Sequence, residues 1–246
     1  MITAVLNCYK RPEYLQEQIE AIKNQTVPVD DILIWSNRPE EGQQYNLDSL
    51  GVKVAYANTN FKFHARFAYG LLARTKYLAY FDDDTIPGPK WFESCLNTIE
   101  QGYNGILGTT GVVLTGDNYD THYKVGWNGR KSDQVTEVDL VGHAWFFEKK
   151  FLHYLWIEEP ISWDNGEDMQ LSYFAQKHGG IKTYVPPHPP KQLDVYGSIP
   201  EKGMKYGLDS KGNSVAKFDN HKNLRNEIAS TLMSKGWKLA DNDNSR

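Results

Sequence analysis

The stretch Lys76-Tyr-Leu-Ala-Tyr-Phe-Asp82-Asp83-Asp84-Thr-Ile-Pro87 carries the strongest indication of the fold, because an apolar strand in it runs directly into three carboxylates. Side chains alternate between the faces of a strand, so we expect Asp82 and Asp84 to point one way and Asp83 the other. Two carboxylates at one strand end repel each other unless a cation or a hydrogen-bond network offsets the repulsion. The stretch alone is equally compatible with an acidic turn that only solvates the strand end.

The composition is that of a folded, weakly acidic protein. Apolar residues make up 40% of the 246 residues, which is enough for a hydrophobic core. The net charge is −4, and no long basic run is present, so we expect no nucleic-acid partner. This length suits one large α/β domain or two small ones. Because no repeat or clear linker interrupts the sequence, we predict a single domain over residues 1–246.

Two cysteines, Cys8 and Cys95, lie in apolar contexts without metal-ligand spacing, which predicts buried free thiols in a reducing compartment. No apolar run approaches the length of a membrane span, and no basic-then-apolar signal segment precedes the first predicted strand. We therefore expect a cytoplasmic protein without a membrane span.

Strands and helices alternate in the first half of the chain. Apolar strands are predicted at 2–7, 31–36, 52–57 and 77–81, and helices at about 12–22, 61–74 and 89–101. This order predicts a parallel sheet with helices on both faces, whose ligands bind beyond the carboxyl ends of the strands. Neither Gly-x-Gly-x-x-Gly after the first strand nor Gly-x-x-x-x-Gly-Lys-Ser/Thr is present, so a bound diphosphate would need a metal ion.

The second half is less regular. Strands are predicted at 105–114, 138–147 and 181–185, a short helix near Glu148, and longer helices at 169–178 and 223–235. We interpret residues 117–133 as a polar, aromatic loop at the substrate rim. Residues 191–220 are polar and glycine-rich, which favours a mobile flap, and we expect a frayed tail at 241–246.

A second acidic stretch, Ile161-Ser-Trp-Asp-Asn-Gly-Glu167-Asp168, opens the helix predicted at 169–178. Negative residues at a helix start are favoured by the helix dipole, which explains them without any function. The same field also keeps a carboxylate ionised and able to accept a proton. His188 lies between two pairs of prolines that would hold its backbone as a metal ligand requires, and a structural histidine is an equally good interpretation.

Five motifs in order resemble those of the GT-A fold nucleotide-sugar glycosyltransferases, most of all the inverting family 2. They are Ile2-Thr-Ala-Val-Leu-Asn-Cys-Tyr-Lys-Arg-Pro-Glu-Tyr-Leu15, His64-Ala-Arg-Phe-Ala-Tyr-Gly-Leu71, Phe81-Asp-Asp-Asp84, Gly142-His-Ala-Trp-Phe-Phe-Glu-Lys-Lys150 and Gly166-Glu-Asp168. The resemblance covers roughly residues 2–190. The Asp-x-Asp motif alone is weak evidence, but the ordered set is strong.

The resemblance implies an α/β fold of the GT-A type. A Rossmann-like nucleotide-binding half (about 1–104) would merge with an acceptor-binding half (about 105–190) around one mixed, mostly parallel sheet. Residues 191–246 would add the flap, the last helix and the tail. The implied reaction is transfer of a hexosyl or deoxyhexosyl group from a nucleoside-diphosphate sugar, with UDP as the family expectation, to a hydroxyl of a glycan or similar acceptor.

The resemblance also implies roles for individual residues. Asp168 would be the general base, with Glu167 as the second choice. Mn²⁺ or Mg²⁺ would be held by Asp84, Asp82 and His188. The nucleotide sugar would contact Asn7, Tyr9, Arg11, Asn37, Arg66, Asp82 and Asp83. The acceptor would contact His143, Trp145 and Trp163.

The sequence departs from the family where the second strand usually ends in paired aspartates, one of which contacts the base. Those positions hold Ser36 and Asn37, and an amide both donates and accepts hydrogen bonds, so the base preference stays open. The size resembles compact glycosyltransferase domains of bacterial surface-glycan clusters and large viruses, and is compatible with one module of a longer protein.

Two other functions remain as alternatives. A phosphatase or phosphotransferase of the haloacid dehalogenase class also places Asp-x-Asp at a strand end, but near the N-terminus, whereas here three strands precede it. A non-catalytic glycan- or nucleotide-binding module would keep the fold and lose the chemistry, although both acidic stretches are intact here.

Overall fold

A nine-stranded mixed β-sheet forms the centre of the molecule. The structure is a computed structural model that describes residues 1–39, 42–207 and 220–240. The strands are β1 (Ile2–Cys8), β2 (Asp31–Ser36), β3 (Lys53–Tyr56), β4 (Tyr77–Phe81), β5 (Ile106–Leu114), β6 (His122–Gly126), β7 (Thr136–Val138), β8 (Leu140–Glu148) and β9 (Thr183–Val185). The helices are α1 (Leu15–Lys23), α2 (His64–Gly70), α3 (Trp91–Glu100), α4 (Glu167–Gly179), α5 (Pro200–Gly207) and α6 (His221–Ser234).

The strand order is β3-β2-β1-β4-β8-β5-β9-β7, and β6 pairs with β5. Strands β1 to β4 are parallel to one another, β8 is antiparallel to both β4 and β5, and β9 is parallel to β5. The predicted α/β fold around a mixed sheet is therefore confirmed. The β4–β8 pairing matters most, because it brings the second half of the chain beside the acidic strand end.

Both faces of the sheet are buried. Tyr80 of β4 stacks on Phe67 of α2, with 4.4 Å between the ring centroids, whereas the next residue, Phe81, faces Phe92 of α3 on the other side. Since successive residues of a strand enter opposite layers, a strand covered on both faces is apolar throughout. This explains the uninterrupted apolar runs in β1, β2 and β4.

A third apolar cluster joins the last helix to the rest of the molecule. Met169 and Phe174 of α4 pack there against Ile228 and Leu232 of α6, and all four side chains are fully buried. The prediction of a C-terminal helix is confirmed with shifted ends. Helix α6 is therefore part of the core.

Several segments differ from the sequence predictions. The loop expected at 117–133 contains β6, the helix expected at 61–74 is the shorter α2, and the short helix near Glu148 is the 3-10 helix Lys149–Trp156. The strand expected at 138–147 is preceded by the separate β7. Local polarity and glycine content cannot show these pairings, because β6 and β7 are held by partners distant in sequence.

The expected flap at 191–220 is partly ordered structure. Helix α5 packs on α1 through Tyr206, whose ring stacks on Tyr14 at 4.0 Å and whose hydroxyl donates to Glu17 Oε2 at 2.5 Å. Residues 208–219 of that prediction, and the whole predicted tail at 241–246, lie outside the described residues. This segment thus contains a helix, and its mobility stays a prediction.

Cys8 and Cys95 are free and buried, as the sequence predicts. Among the described residues, no helix has the length and apolar character needed to cross a lipid bilayer.

Candidate active site

The three carboxylates of the acidic stretch lie in a turn at the carboxyl end of β4. The strand ends at Phe81, and the amide of Thr85 donates to the carbonyl of Asp82 at 3.1 Å. The amide of Asp82 donates to the carbonyl of His143 in β8 at 2.9 Å. The turn and the neighbouring strand therefore position these carboxylates. The alternation of side chains along a strand, from which their directions were predicted, ends with β4.

Asp82, Asp84 and His143 form a group that fits a divalent cation. Each offers one ligand atom, and these atoms lie within 4.8 Å of one another. Nδ1 of His143 is 3.8 Å from Asp82 Oδ2 and 3.9 Å from Asp84 Oδ1. Carboxylate oxygens suit Mg²⁺ and Mn²⁺, and an imidazole nitrogen moves the preference towards the transition metal.

The charges within this group of three side chains change the pKa values of His143 and Asp84. Burial opposes a charge on His143, but the nearby charges of Asp84 and Asp82 raise the pKa of the imidazole above its ordinary value. Burial also opposes the charge on Asp84, yet His143 and Arg11 lower the pKa of that carboxyl. Because the two carboxylates favour the protonated imidazole, a cation bound to the three side chains would compete with that proton.

The backbone of His143 adopts an uncommon conformation for a residue other than glycine, with a φ of 64°. Its carbonyl accepts hydrogen bonds from the amide of Asp82 and, at 3.1 Å, from the hydroxyl of Thr85. The ring meets Trp127 edge-on, with 5.3 Å between the ring centroids. Such conformations persist where the surroundings fix them, and they cluster at functional sites.

Arg11 neutralises the other side of the acidic turn. Its Nη1 donates to Asp83 Oδ1 at 2.9 Å and to Asp84 Oδ2 at 3.1 Å. Burial raises the pKa of Asp83 above its ordinary value, although the charge of Arg11 acts in the opposite direction. Asp83 therefore faces the guanidinium and lies outside the group that fits a cation.

Arg66 of α2 joins the two acidic stretches. Its side chain is 2% exposed; Nη1 donates to Asp82 Oδ1 at 2.5 Å, and Nη2 lies 3.5 Å from Glu167 Oε1. The guanidinium carbon also lies 4.9 Å from the ring centre of Trp145. A buried cation is tolerated only when its charge is paired, so this arginine and the two carboxylates hold one another in place.

The second acidic stretch begins α4. Gly166 precedes the helix with a φ of 83°, and Glu167 and Asp168 occupy the first turn. Burial and the charge of Asp168 raise the pKa of Glu167 to about 7, although Arg66 and Arg225 act in the opposite direction. Asp168 forms a two-pronged ion pair with Arg225 of α6, in which Nη2 lies 2.8 Å from Oδ2 and Nη1 3.2 Å from Oδ1.

Both acidic stretches line one cavity of about 290 Å³. Asn7 and Tyr9 reach it from the carboxyl end of β1 and the turn that follows, and Lys124 of β6 reaches it from the other half of the sheet. Of the residues predicted to form the site, all line this cavity except His188, Asn37 and Trp163. The fold thus gathers most of the predicted residues into a single chamber.

A family model described as "Glycosyl transferase family 2" matches residues 3–156 of the chain, which is more than half of its length. The chain belongs to glycosyl transferase family 2. Together with the mixed α/β sheet, this membership identifies the fold as GT-A and the protein as a glycosyltransferase. A search of curated proteins found no match.

The family match covers only part of the site of this family 2 member. Asp82, Asp84 and His143 lie within the matched residues, whereas Asp168 and Arg225 follow them. The match also weighs against the haloacid dehalogenase alternative.

His188 is the predicted metal ligand that the fold does not bring to the carboxylates. Its ring is fully buried; Nε2 is 2.9 Å from the hydroxyl of Thr109 and Nδ1 is 2.7 Å from the carbonyl of Pro186. Burial lowers the pKa of His188 to about 4. Both ring nitrogens are engaged, so the position of His188 supports the structural interpretation and does not support the prediction of a metal ligand. His143, which was expected to contact the acceptor, lies beside Asp82 and Asp84.

Asn37 does not face the cavity of this glycosyltransferase. Its carbonyl oxygen accepts from the indole of Trp35 at 2.9 Å and from the amide of Phe61 at 3.0 Å. Its amide nitrogen donates to the carbonyl of Lys62 at 3.2 Å. These contacts hold the loop before α2 against the end of β2, so the prediction that Asn37 contacts the nucleotide is not supported by its position.

The two predicted acceptor tryptophans lie in different surroundings. Trp145 lines the cavity, but it is 2% exposed and packs beneath Arg66. Trp163 is 54% exposed and lies outside the cavity, with its ring 5.1 Å from that of His64. The structure therefore does not bring Trp163 to the predicted acceptor site.

Sequence reasoning missed the contribution of α6 to this chamber. His221 and Arg225 line the cavity, as does Tyr119 from the segment before β6. The spacing of apolar residues in α6 indicates only an amphipathic helix. No local pattern relates Arg225 to Asp168, because 57 positions separate them and the packing of α6 on α4 decides the contact.

Proposed function

We propose that this chain is a metal-dependent inverting glycosyltransferase. It would move a hexosyl or deoxyhexosyl group from a nucleoside-diphosphate sugar, most simply a UDP-sugar, to a hydroxyl of a glycan or similar acceptor. One observation carries the proposal. Asp82, Asp84 and His143, which suit a cation, line the same cavity of about 290 Å³ as the separate carboxylates of Glu167 and Asp168. We propose residues 1–246 as one catalytic domain, since a single sheet supports both groups.

Asp82, Asp84 and His143 would hold Mn²⁺ or Mg²⁺. When bound, the cation supplies Lewis-acid stabilisation of the negative charge that develops on the departing nucleoside diphosphate. Arg11, which pairs with Asp83 and Asp84, adds a fixed positive charge next to them. These residues therefore serve the leaving-group side of the reaction.

Asn7 and Tyr9 are proposed to contact the nucleotide. They line the cavity at the carboxyl end of β1, where ligands of open α/β sheets bind. The amide of Asn7 both donates and accepts hydrogen bonds, which suits the edge of a base. The choice of UDP rests on the family expectation.

Asp168 is proposed as the general base. The oxygen of the acceptor hydroxyl forms a bond to the anomeric carbon while the bond from that carbon to the diphosphate oxygen breaks. The hydroxyl proton passes to Asp168, and the electron pair leaves with the nucleoside diphosphate. A single displacement of this kind inverts the anomeric centre. Glu167 is the second choice, because its side chain is more buried, 7% exposed against 12% for Asp168.

Nucleotide binding is the first test. We expect UDP with Mn²⁺ to raise the melting temperature of the wild-type protein, and UDP alone to raise it much less. Asp84→Asn should remove the Mn²⁺-dependent part, whereas Asp133→Asn, a substitution of an exposed aspartate, should retain it. Absence of stabilisation by any nucleoside diphosphate would contradict the proposal.

Sugar transfer is the second test. With a panel of nucleotide sugars, Mn²⁺ and glycan acceptors, Asp168→Asn should lose transfer while keeping the nucleotide-dependent rise in melting temperature. Equal transfer by the wild type and Asp168→Asn would show that Asp168 is not the base. Nucleotide binding with neither transfer nor donor hydrolysis would favour a non-catalytic binding module, and a covalent aspartyl-phosphate would favour a phosphotransferase.

A further inference from the structure

The ion pair between Asp168 and Arg225 connects the proposed base to the last helix of the chain. Both terminal guanidinium nitrogens of Arg225 contact Asp168. Nη2 lies 2.8 Å from Oδ2, and Nη1 lies 3.2 Å from Oδ1. The side chains are only 8% and 12% exposed. A paired, two-pronged contact fixes the plane of a carboxylate as well as its distance, which a single contact cannot do.

Arg225 is itself held from other sides. Its Nη1 also donates to Asn165 Oδ1 at 3.0 Å, and its guanidinium carbon lies 4.3 Å from the ring centre of Tyr119. Asn165 Oδ1 accepts in addition from the amide of Gly166 at 2.7 Å. The guanidinium is therefore fixed relative to the start of α4, where Asp168 lies.

The contact depends on a close approach of α6 to α4. Ile228 of α6 lies over Gly166, where an added Cβ would be 2.6 Å from its Cδ1. Ile228, Ala229 and Leu232 are fully buried in the cluster that they share with α4. Apolar packing thus sets the distance between the helices, and Arg225 projects from the same helix towards the cavity.

We propose that Arg225 is a positioning residue for sugar transfer, which orients the carboxylate of Asp168 towards the acceptor hydroxyl. This inference rests on the proposed function. Oδ1 of Asp168 accepts from Arg225 Nη1 and, at 2.8 Å, from the amide of Met169, whereas Oδ2 accepts from Arg225 Nη2. Because each carboxylate oxygen has two lone-pair positions, one on Oδ2 is left for the incoming proton. The proton still passes from the acceptor hydroxyl to Asp168, and Arg225 neither gains nor loses one.

The test compares Arg225→Met and Arg225→Lys with the wild type and with Lys222→Met. Lys222 lies on the same helix, is exposed, and pairs with Asp120, so it controls for changes in the surface charge of α6. We expect Arg225→Met to lower kcat for transfer by about 100-fold, the effect of a misplaced catalytic group, with the donor KM changed less than threefold. Arg225→Lys, which restores the charge without the fork, should recover part of the loss, and Lys222→Met should transfer like the wild type.

Binding of UDP with Mn²⁺ separates failure of this inference from failure of the proposed function. If the wild type binds no nucleotide, the proposed function fails. If it binds and transfers normally, and Arg225→Met transfers equally well or faster, Arg225 does not position the base. A donor KM that rises in parallel with a fall in kcat/KM, at unchanged kcat, would also overturn the inference. Because Arg225→Met removes a buried ion pair, kcat is compared below the melting transition of every variant. Ile228→Val serves as a variant that loosens α6 without touching the ion pair.

Discussion

His143 and His188 differ in what surrounds each imidazole, and this difference decides which one is available to a cation. Nδ1 of His143 faces Asp82 and Asp84 at 3.8 and 3.9 Å, within an open cavity. Both nitrogens of His188 are engaged by Thr109 and Pro186 in the buried interior. A ligand nitrogen must be unprotonated and unobstructed, and only His143 meets the second condition.

These different surroundings predict that substitution of His143 and substitution of His188 affect the response to Mn²⁺ differently. We expect His143→Ala to raise the Mn²⁺ concentration for half-maximal stabilisation by UDP by about tenfold or more, because one of three ligand groups is lost. His188→Ala should leave that concentration unchanged and lower the free energy of unfolding, since it empties a buried position. Thermal-shift titrations measure both quantities, with His153→Ala as the exposed control. An unchanged Mn²⁺ response in His143→Ala would contradict the assigned group.

The raised pKa of Glu167 predicts that the stability of the folded protein depends on pH. Burial and Asp168 raise its pKa in the folded protein to about 7, whereas an unfolded glutamate titrates near 4.5. Between these values the folded state holds a proton that the unfolded state has released, so its contribution to stability is complete below about pH 4.5 and is lost as the pH rises through 7.

The measurement is urea unfolding of the wild type and Glu167→Gln between pH 5 and 8. Glutamine cannot titrate, so the difference in unfolding free energy isolates this carboxyl. We expect the wild type to lose stability relative to Glu167→Gln by up to about 1.4 kcal/mol per pH unit up to pH 7, and no further above it. A difference that stays constant, or that changes in favour of the wild type as the pH rises, would contradict the raised pKa.

The start of α4 is shaped by a glycine for two separate reasons. Gly166 has a φ of 83°, which disfavours residues with a Cβ, and Ile228 of α6 occupies the space that a Cβ would need. Gly180 ends the same helix with a φ of 63° but has open space around it. The two glycines therefore separate backbone strain from steric contact between helices.

Substitution by alanine at both ends of α4 tests this distinction. We expect Gly180→Ala to cost about 1 kcal/mol of stability through its backbone alone, and Gly166→Ala about 2–4 kcal/mol, because overpacking adds to strain. Denaturant unfolding measures both. Ile228→Val, which removes the nearest atom, should cost less in the Gly166→Ala background than in the wild type. Equal costs for the two glycines would mean that α6 yields without resistance.

The single sheet explains how two distant stretches share a cavity. β4 carries the first acidic group, β8 pairs with it and carries His143, and β5 continues the sheet towards β9. Helix α4 covers this half of the sheet, and α6 covers α4 through Met169 and Phe174. The part beyond the family match therefore covers apolar surface and also lines the cavity.

Removal of the last helix should destabilise the whole molecule. A chain ended after residue 219 loses the buried side chains Ile228, Leu232 and Trp237 and exposes their partners on α4. We expect a loss on the order of 5 kcal/mol or more, which is comparable to the total stability of many domains. Urea unfolding and binding of an apolar dye measure the effect, and a chain ended after residue 240 is the matched control. An unchanged unfolding midpoint in the shorter chain would contradict this role of α6.

The sequence determined the α/β class, the first four strands and the two acidic stretches. These follow from local patterns: apolar runs of strand length, turn residues at their ends, and a glycine before a helix. Strand alternation grouped Asp82 with Asp84, and the resemblance added their expected role at a cation and that of Asp168 as base. Apolar runs are readable because burial on both faces requires every residue of a strand to be apolar.

Tertiary structure alone decided which histidine faces the carboxylates, that Arg66 joins Asp82 to Glu167, and that Arg225 holds Asp168. Each of these contacts joins residues on different elements, and its existence depends on strand order and helix packing. Strand order and helix packing cannot be predicted from a local stretch of sequence. The free energy that selects them comes from the burial of apolar faces summed over the whole molecule. The chemistry-bearing residues were visible in the sequence; their partners were set by packing.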